Sequence, residues 1–128
     1  MIVLDTHVWV WWNASPDKLS NSARQAIDSS EEIGISPISC WELAMLVSKG
    51  RIKLDRDVRV WIEEAFPQDG CRLIPISPSI AVTAGTLGDG FPGDPADRLI
   101  VATAIEINAA LVTKDREIRD FQGVNTLW

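Results

Sequence analysis

The sequence predicts an α/β fold: a three-layer α/β/α domain with a mostly parallel central sheet. Short apolar runs alternate with segments of helical periodicity along the chain, the pattern left by successive strand and helix units. The 128 residues, 46% hydrophobic and 23% charged, suffice for one core and not for two, so residues 1–128 read as a single domain. No internal repeat, low-complexity tract or linker divides them.

Four or five strands are expected, over residues 2–4, 32–35, 72–76, 110–113 and 124–127. The first leads into a short helix over residues 7–13. Ser15 and Pro16 supply a cap and a first-turn proline for a helix reaching Ile27. Ser39 can cap a helix over residues 40–49, with Glu42 at its third position as in a capping box and Gly50 just past its end. Between 57 and 66, Val58, Trp61, Ile62 and Ala65 recur at helical spacing, and Pro67 follows. Ser77 and Pro78 open a helix to about Leu87. The turn formers of residues 88–93 then deliver the chain to Asp94, where a largely apolar helix begins that Asn108 can end.

Composition excludes several classes. Twelve Lys and Arg against 18 Asp and Glu give a formal charge of −6, which argues against a surface that holds nucleic acid everywhere and leaves room for a local basic groove. The apolar N-terminus lacks a positive leader and is interrupted by Asp5, and the longest uncharged stretch, residues 73–88, is too short for a membrane span and carries prolines. A cytoplasmic protein without membrane contact is expected. Cys40 and Cys71 lack metal-site spacing and read as buried thiols.

In a parallel α/β sheet the ligand site lies beyond the carboxyl ends of the strands. Asp5 directly follows the first strand, Asp115 follows the strand at 110–113, and Glu42, Asp94 and Asp97 stand in first turns of helices that start at that same edge. Each alone has an ordinary explanation as a solvated charge or a helix-dipole partner. Together they crowd like charges that repel unless a cation neutralises them. Carboxylate oxygens suit Mg²⁺ or Mn²⁺, and such a centre suits phosphodiester hydrolysis.

Four ordered blocks carry a resemblance: Leu4-Asp5-Thr6-His7-Val8 with tryptophans following; Ser39-Cys40-Trp41-Glu42-Leu43-Ala44; Asp94-Pro95-Ala96-Asp97-Arg98-Leu99 with its apolar continuation; and Leu111-Val112-Thr113-Lys114-Asp115. Over nearly its whole length the chain resembles the PIN-domain ribonucleases and, within them, the VapC-type toxins of toxin–antitoxin pairs. The resemblance implies a PIN-like fold and a Mg²⁺- or Mn²⁺-dependent endoribonuclease whose catalytic and metal-binding acids are Asp5, Glu42, Asp97 and Asp115. Asp94 either joins them or caps the helix before Pro95. A hydroxyl near the metal falls to Thr6 or Thr113, and Arg98 and Lys114 are candidate RNA contacts, Arg98 having Asp94 or Asp97 as its alternative partner. The resemblance also implies an RNA substrate, a VapB-like antitoxin and a homodimer. Two rivals stand beside it. One is a non-catalytic protein-binding module on the same fold. The other is an acid-cluster phosphatase, which needs a second Asp where this chain has His7.

His7, the only histidine, reads as a packing or hydrogen-bonding residue or as a general base. Lys49, Arg51, Lys53, Arg56 and Arg59 form the one marked basic segment, either an RNA-backbone contact or a solvated helix end softened by Asp55 and Asp57. Trp9, Trp11 and Trp12 share one short helix and cannot all face one way. Large aromatics dominate interface cores, so they are candidates for the dimer or antitoxin contact, with base stacking as their other use. Trp41 is expected in the core.

Overall fold

In a computed structural model describing residues 1–66, 70–91 and 93–128, the expected three layers form. Pro67 and Pro92, expected after the fourth helix and in the loop before Asp94, lie outside the described residues. Among the described residues the elements run β1 (Ile2–Leu4), α1 (Thr6–Ala14), a 3₁₀ turn (Pro16–Lys18), α2 (Asn21–Ser29), β2 (Ile33–Ile35), α3 (Pro37–Ser48), α4 (Val58–Ala65), β3 (Cys71–Leu73), α5 (Pro78–Gly85), α6 (Pro95–Glu106), β4 (Ala110–Val112), α7 (Arg116–Asp120) and β5 (Thr126–Leu127).

The sheet is parallel throughout, in the order β3-β2-β1-β4-β5. The chain winds outward from β1 through β2 to β3, then crosses back to place β4 on the other side of β1. That reversal opens a crevice between the carboxyl ends of β1 and β4. The register pairs Leu4 with Val112, and the amide of Asp5 donates to the Val112 carbonyl at 3.0 Å, so the two strands finish level.

Side-chain alternation along β1 builds the two cores. Ile2 and Leu4 face a cluster with Val8, Trp9, Ile27, Ile35, Leu43 and Trp61, whereas Val3 faces one with Phe91, Ile100, Val101, Ala104, Leu111 and Ile118. Trp9 is fully buried, edge-on to Trp61 with ring centroids 5.3 Å apart. Gly34 in β2 lets Ile74 close on the sheet, since a Cβ there would stand 2.9 Å from Ile74 Cγ1.

Two helix starts differ from expectation. The segment after Ser15-Pro16 makes only a 3₁₀ turn, because Leu19 is extended to bury its side chain, and α2 begins afresh where the Ser20 hydroxyl accepts from the Ala23 amide at 3.0 Å. Helix α3 starts three residues earlier than Cys40: Ser36 is its cap and Pro37 its first residue, so Ser39 lies inside the helix and Glu42 in its second turn. That phase buries Ser39, Leu43 and Leu46 on one face. Trp41, about half a turn away from Leu43, is 57% exposed and not in the core. Ser77, Asp57 and Asp94 cap their helices, and Asn108 ends α6 at φ 53°. The thiols of Cys40 and Cys71 are free and half-buried, not fully buried, and burial raises the pKa of both. Among the described residues no helix is long and apolar enough to cross a membrane.

Candidate active site

The crevice beyond β1 and β4 is a cleft of about 280 Å³ lined by Asp5, His7, Trp11, Glu42, Asp97, Lys114 and Asp115. Asp5 enters it because β1 ends at Leu4 and the next residue must turn the chain. Its Oδ1 accepts from the Thr6 amide at 2.8 Å as the cap of α1, and its Oδ2 accepts from the Thr113 hydroxyl at 2.7 Å. Thr113 Oγ1 in turn accepts from the Asp115 amide at 3.1 Å. The ends of β1 and β4 are thereby joined through one hydroxyl.

Glu42 arrives from α3 and Asp97 from the first turn of α6. One carboxylate oxygen each from Asp5, Glu42 and Asp97 lies within 4.8 Å of the other two. The crowding shows in their protonation. Burial, reinforced by the Asp5, Asp94, Glu42 and Asp115 carboxylates, pushes the Asp97 carboxyl up to about 8. Burial raises Glu42 as well, against a hydrogen bond from Thr6, and raises Asp5 against the bonds from Thr113 and the Thr6 amide. Three oxygen acids closer together than their charges tolerate are a donor set that a hard divalent cation fits.

The remaining acids stand at the margin. Asp115 lines the cleft but is exposed, and its Oδ1 caps α7 by accepting from the Glu117 and Ile118 amides. Asp94 takes the cap role, its Oδ1 accepting from the Ala96 amide at 2.8 Å, and it reaches the site only as a charge that raises Asp97 and Glu42.

Thr6 and Thr113 are fully buried, with the Thr6 and Ser39 hydroxyls 2.9 Å apart and the Thr113 hydroxyl on Asp5, so both hydroxyls are engaged by protein groups beside the cleft. Arg98 forms no ion pair among the described residues. Its guanidinium donates to the carbonyls of Phe91 at 2.8 Å, Ala84 at 3.2 Å and Gly88 at 3.4 Å, and lies over the Phe91 ring, which pins the loop before α6. Of the partners expected for Arg98, no Asp pairs with it among the described residues. Lys114 does line the cleft.

In the segment 49–59, Arg56 pairs with Asp55 at 2.8 Å and with Glu64. The three tryptophans of α1 diverge. Trp9 is core, Trp12 packs half-buried beside Pro16, Leu19 and Ile27, and Trp11 lines the acidic cleft. Trp11 was legible as a site residue, since it falls one helical turn after His7, itself two residues past Asp5.

Residues 2–124 match the family model described as PIN domain. Over 129 aligned positions, covering 99% of this chain and 98% of the relative, the sequence is 48% identical to Ribonuclease VapC22 of Mycobacterium tuberculosis (strain ATCC 25618 / H37Rv). Among solved structures, VapBC2 from Rickettsia felis bound to a DNA fragment from their promoter superposes with a TM-score of 0.72 at 25% identity, covering 98% of this chain and 97% of the other. Mycobacterium tuberculosis VapC20, described as a Sarcin-Ricin loop cleaving toxin, shares the fold at a TM-score of 0.70 and 14% identity, covering 98% and 99%. A family model spanning almost the whole chain and a relative identical at nearly half its positions place this chain in the PIN domain family, in its VapC branch.

Proposed function

We propose that this chain is a metal-dependent endoribonuclease, the toxin of a toxin–antitoxin pair, working as a single domain over residues 1–128 in the cytoplasm. The observation that carries the reading is the convergence of Asp5, Glu42 and Asp97 from three separate elements on one point of the cleft. The 48% identity to a protein named as a ribonuclease, and the likeness to VapBC complexes, support the same conclusion.

Asp5, Glu42 and Asp97 would hold Mg²⁺ or Mn²⁺, with Asp115 completing the acidic rim. When bound, the cation supplies Lewis acidity toward the phosphate and makes a water nucleophilic near neutral pH. The chain's own residues do the rest. Thr113 and the Thr6 amide fix the Asp5 carboxylate in one orientation, so that it needs no rearrangement as charge develops. Lys114, exposed at the rim, offers the phosphodiester a cation that none of the acids can provide. In hydrolysis the oxygen of water bonds to phosphorus, the bond to one ribose oxygen breaks, and the proton leaves with the departing alkoxide.

Partners follow from the same resemblance: a VapB-like antitoxin and a second copy of the chain as a homodimer. The test is cleavage of total bacterial RNA by protein purified from co-expression with its antitoxin, in Mg²⁺, in Mn²⁺ and in EDTA, with ends mapped by primer extension. Discrete cuts in either metal and none in EDTA support the proposal. Intact RNA under all three conditions refutes it.

A further inference from the structure

One wall of the acidic cleft is aromatic, and the chemistry above makes no use of it. Trp11 lines the same cleft as Asp5, Glu42 and Asp97. Its ring is tilted against His7, with centroids 5.8 Å apart, and against Trp128 at 6.0 Å. The Lys114 ammonium lies 5.8 Å from the centre of the Trp11 ring. Trp11 is half-buried at the edge of the core, so its position is fixed while part of its ring still borders the cleft.

A divalent cation held by the acids would attract the scissile phosphate but would not hold the neighbouring nucleotides. The chain carries a formal charge of −6 and four carboxylates line the cleft, so its walls offer flanking phosphates little attraction beyond Lys114. Base stacking is indifferent to that charge, because every base has a π face and an indole is a good platform for it. The cation over the Trp11 ring is no obstacle. An exposed cation–π contact is weaker than a stacked base, and an ammonium displaced from the ring remains beside the phosphate of the nucleotide that displaced it.

We infer that Trp11 is the stacking platform for a base next to the scissile phosphate in a single-stranded stretch of RNA, with Lys114 passing from the ring to the adjoining phosphate. The inference rests on the ribonuclease reading and goes beyond it by naming what holds the substrate in register. Trp11 thereby becomes an RNA contact in place of a protein contact.

The test is a double-mutant cycle. An RNA oligonucleotide bearing a cleavage site mapped on total RNA is compared with versions made abasic, or carrying 2-aminopurine, at each position flanking the cut. Affinity is measured in the Asp97→Asn background, which leaves the RNA intact. Trp11→Ala should weaken binding about tenfold, and Trp11→Phe by much less. One abasic position should weaken Trp11-containing protein by a similar factor and leave Trp11→Ala unaffected. At that position 2-aminopurine fluorescence should be quenched on binding by protein with Trp11 or Phe, and not with Ala. If Trp11→Ala misfolds, the Phe variant and the quench with Trp11 present still decide. Independent, multiplying effects of the abasic site and Trp11→Ala would overturn the inference. So would unchanged RNA affinity accompanied by loss of antitoxin binding, which assigns Trp11 to a protein contact. Failure of the wild-type protein to cut any RNA removes the ribonuclease reading and this inference together, whereas cutting with an additive cycle removes only the inference.

Discussion

The Thr113 hydroxyl donates to Asp5 Oδ2 at 2.7 Å, joining two residues 108 positions apart, each the first to follow a buried strand. This bond fixes the carboxylate that sits at the reversal of strand order. Thr113→Val keeps the branched shape and removes the donor, leaving a buried oxygen short of a partner. Loss of such an outer partner commonly costs about 10- to 100-fold in metal affinity. Calorimetric titration with Mn²⁺ should show a fall of that size for Thr113→Val and a smaller one for Thr113→Ser, with unchanged circular dichroism.

The acid cluster should make the metal-free protein sensitive to pH. Asp97 has its pKa raised in the fold from 3.8 to about 8, and Asp5 and Glu42 are shifted the same way. A raised folded pKa means that the folded state binds more protons across that window, so the contribution to stability is fully present below about pH 4 and is lost as pH rises through about 8. In EDTA the melting temperature attributable to this cluster should fall over that range, and Asp97→Asn should flatten the fall. Saturating Mg²⁺ or Mn²⁺ should raise the midpoint most at the upper end, through mass action on a fully ionised site. A midpoint in EDTA that rises from pH 5 to 8 equally in wild type and Asp97→Asn would contradict the electrostatic account.

Arg98 and Lys114 should separate structural from substrate-facing cations. Arg98→Ala removes donors from the Phe91, Ala84 and Gly88 carbonyls and should destabilise the fold by about 2 kcal/mol in urea titrations. It should leave the salt dependence of RNA binding unchanged. Lys114→Ala should do the reverse, with stability within about 0.5 kcal/mol of wild type and the slope of log affinity against log salt reduced by about 1.

The tryptophans should differ by more than a substitution table implies. Trp41, 57% exposed, should tolerate Trp41→Gln within about 0.5 kcal/mol. Trp9, fully buried against Trp61 and Phe66, should lose about 3–5 kcal/mol as Trp9→Ala. Chemical denaturation of both variants checks this.

Most of this architecture is legible in the sequence because the central strands leave continuous apolar runs, and because Asp5 and Asp115 closely follow two of them while Glu42 and Asp97 fall near the starts of helices. What was not legible turned on competition between equivalent local signals. Ser36-Pro37 and Ser39 both offer a cap for α3. The Ser-Pro pair prevailed, as at Ser77-Pro78, and the resulting shift of phase turned Trp41 outward and Ser39 toward Thr6. At Ser15-Pro16 the same pair lost, because burying Leu19 requires extended backbone there. The loop contacts of Arg98 were not legible for another reason. Its acceptors are main-chain carbonyls of a loop, which no pattern of side chains announces.

The most direct test of the central claim is cleavage of a mapped RNA site by Asp97→Asn and Asp5→Asn in Mg²⁺ or Mn²⁺, with folding confirmed by circular dichroism. Asn is nearly isosteric and neutral, so each variant keeps the cleft and loses one charge of the cluster. Each single change should lower kcat by about 100-fold or more, and the double change should cost little beyond either one, because the acids act as a unit. Two folded variants that cleave at the wild-type rate would contradict the carboxylate mechanism and leave a protein-binding module as the better description of this fold.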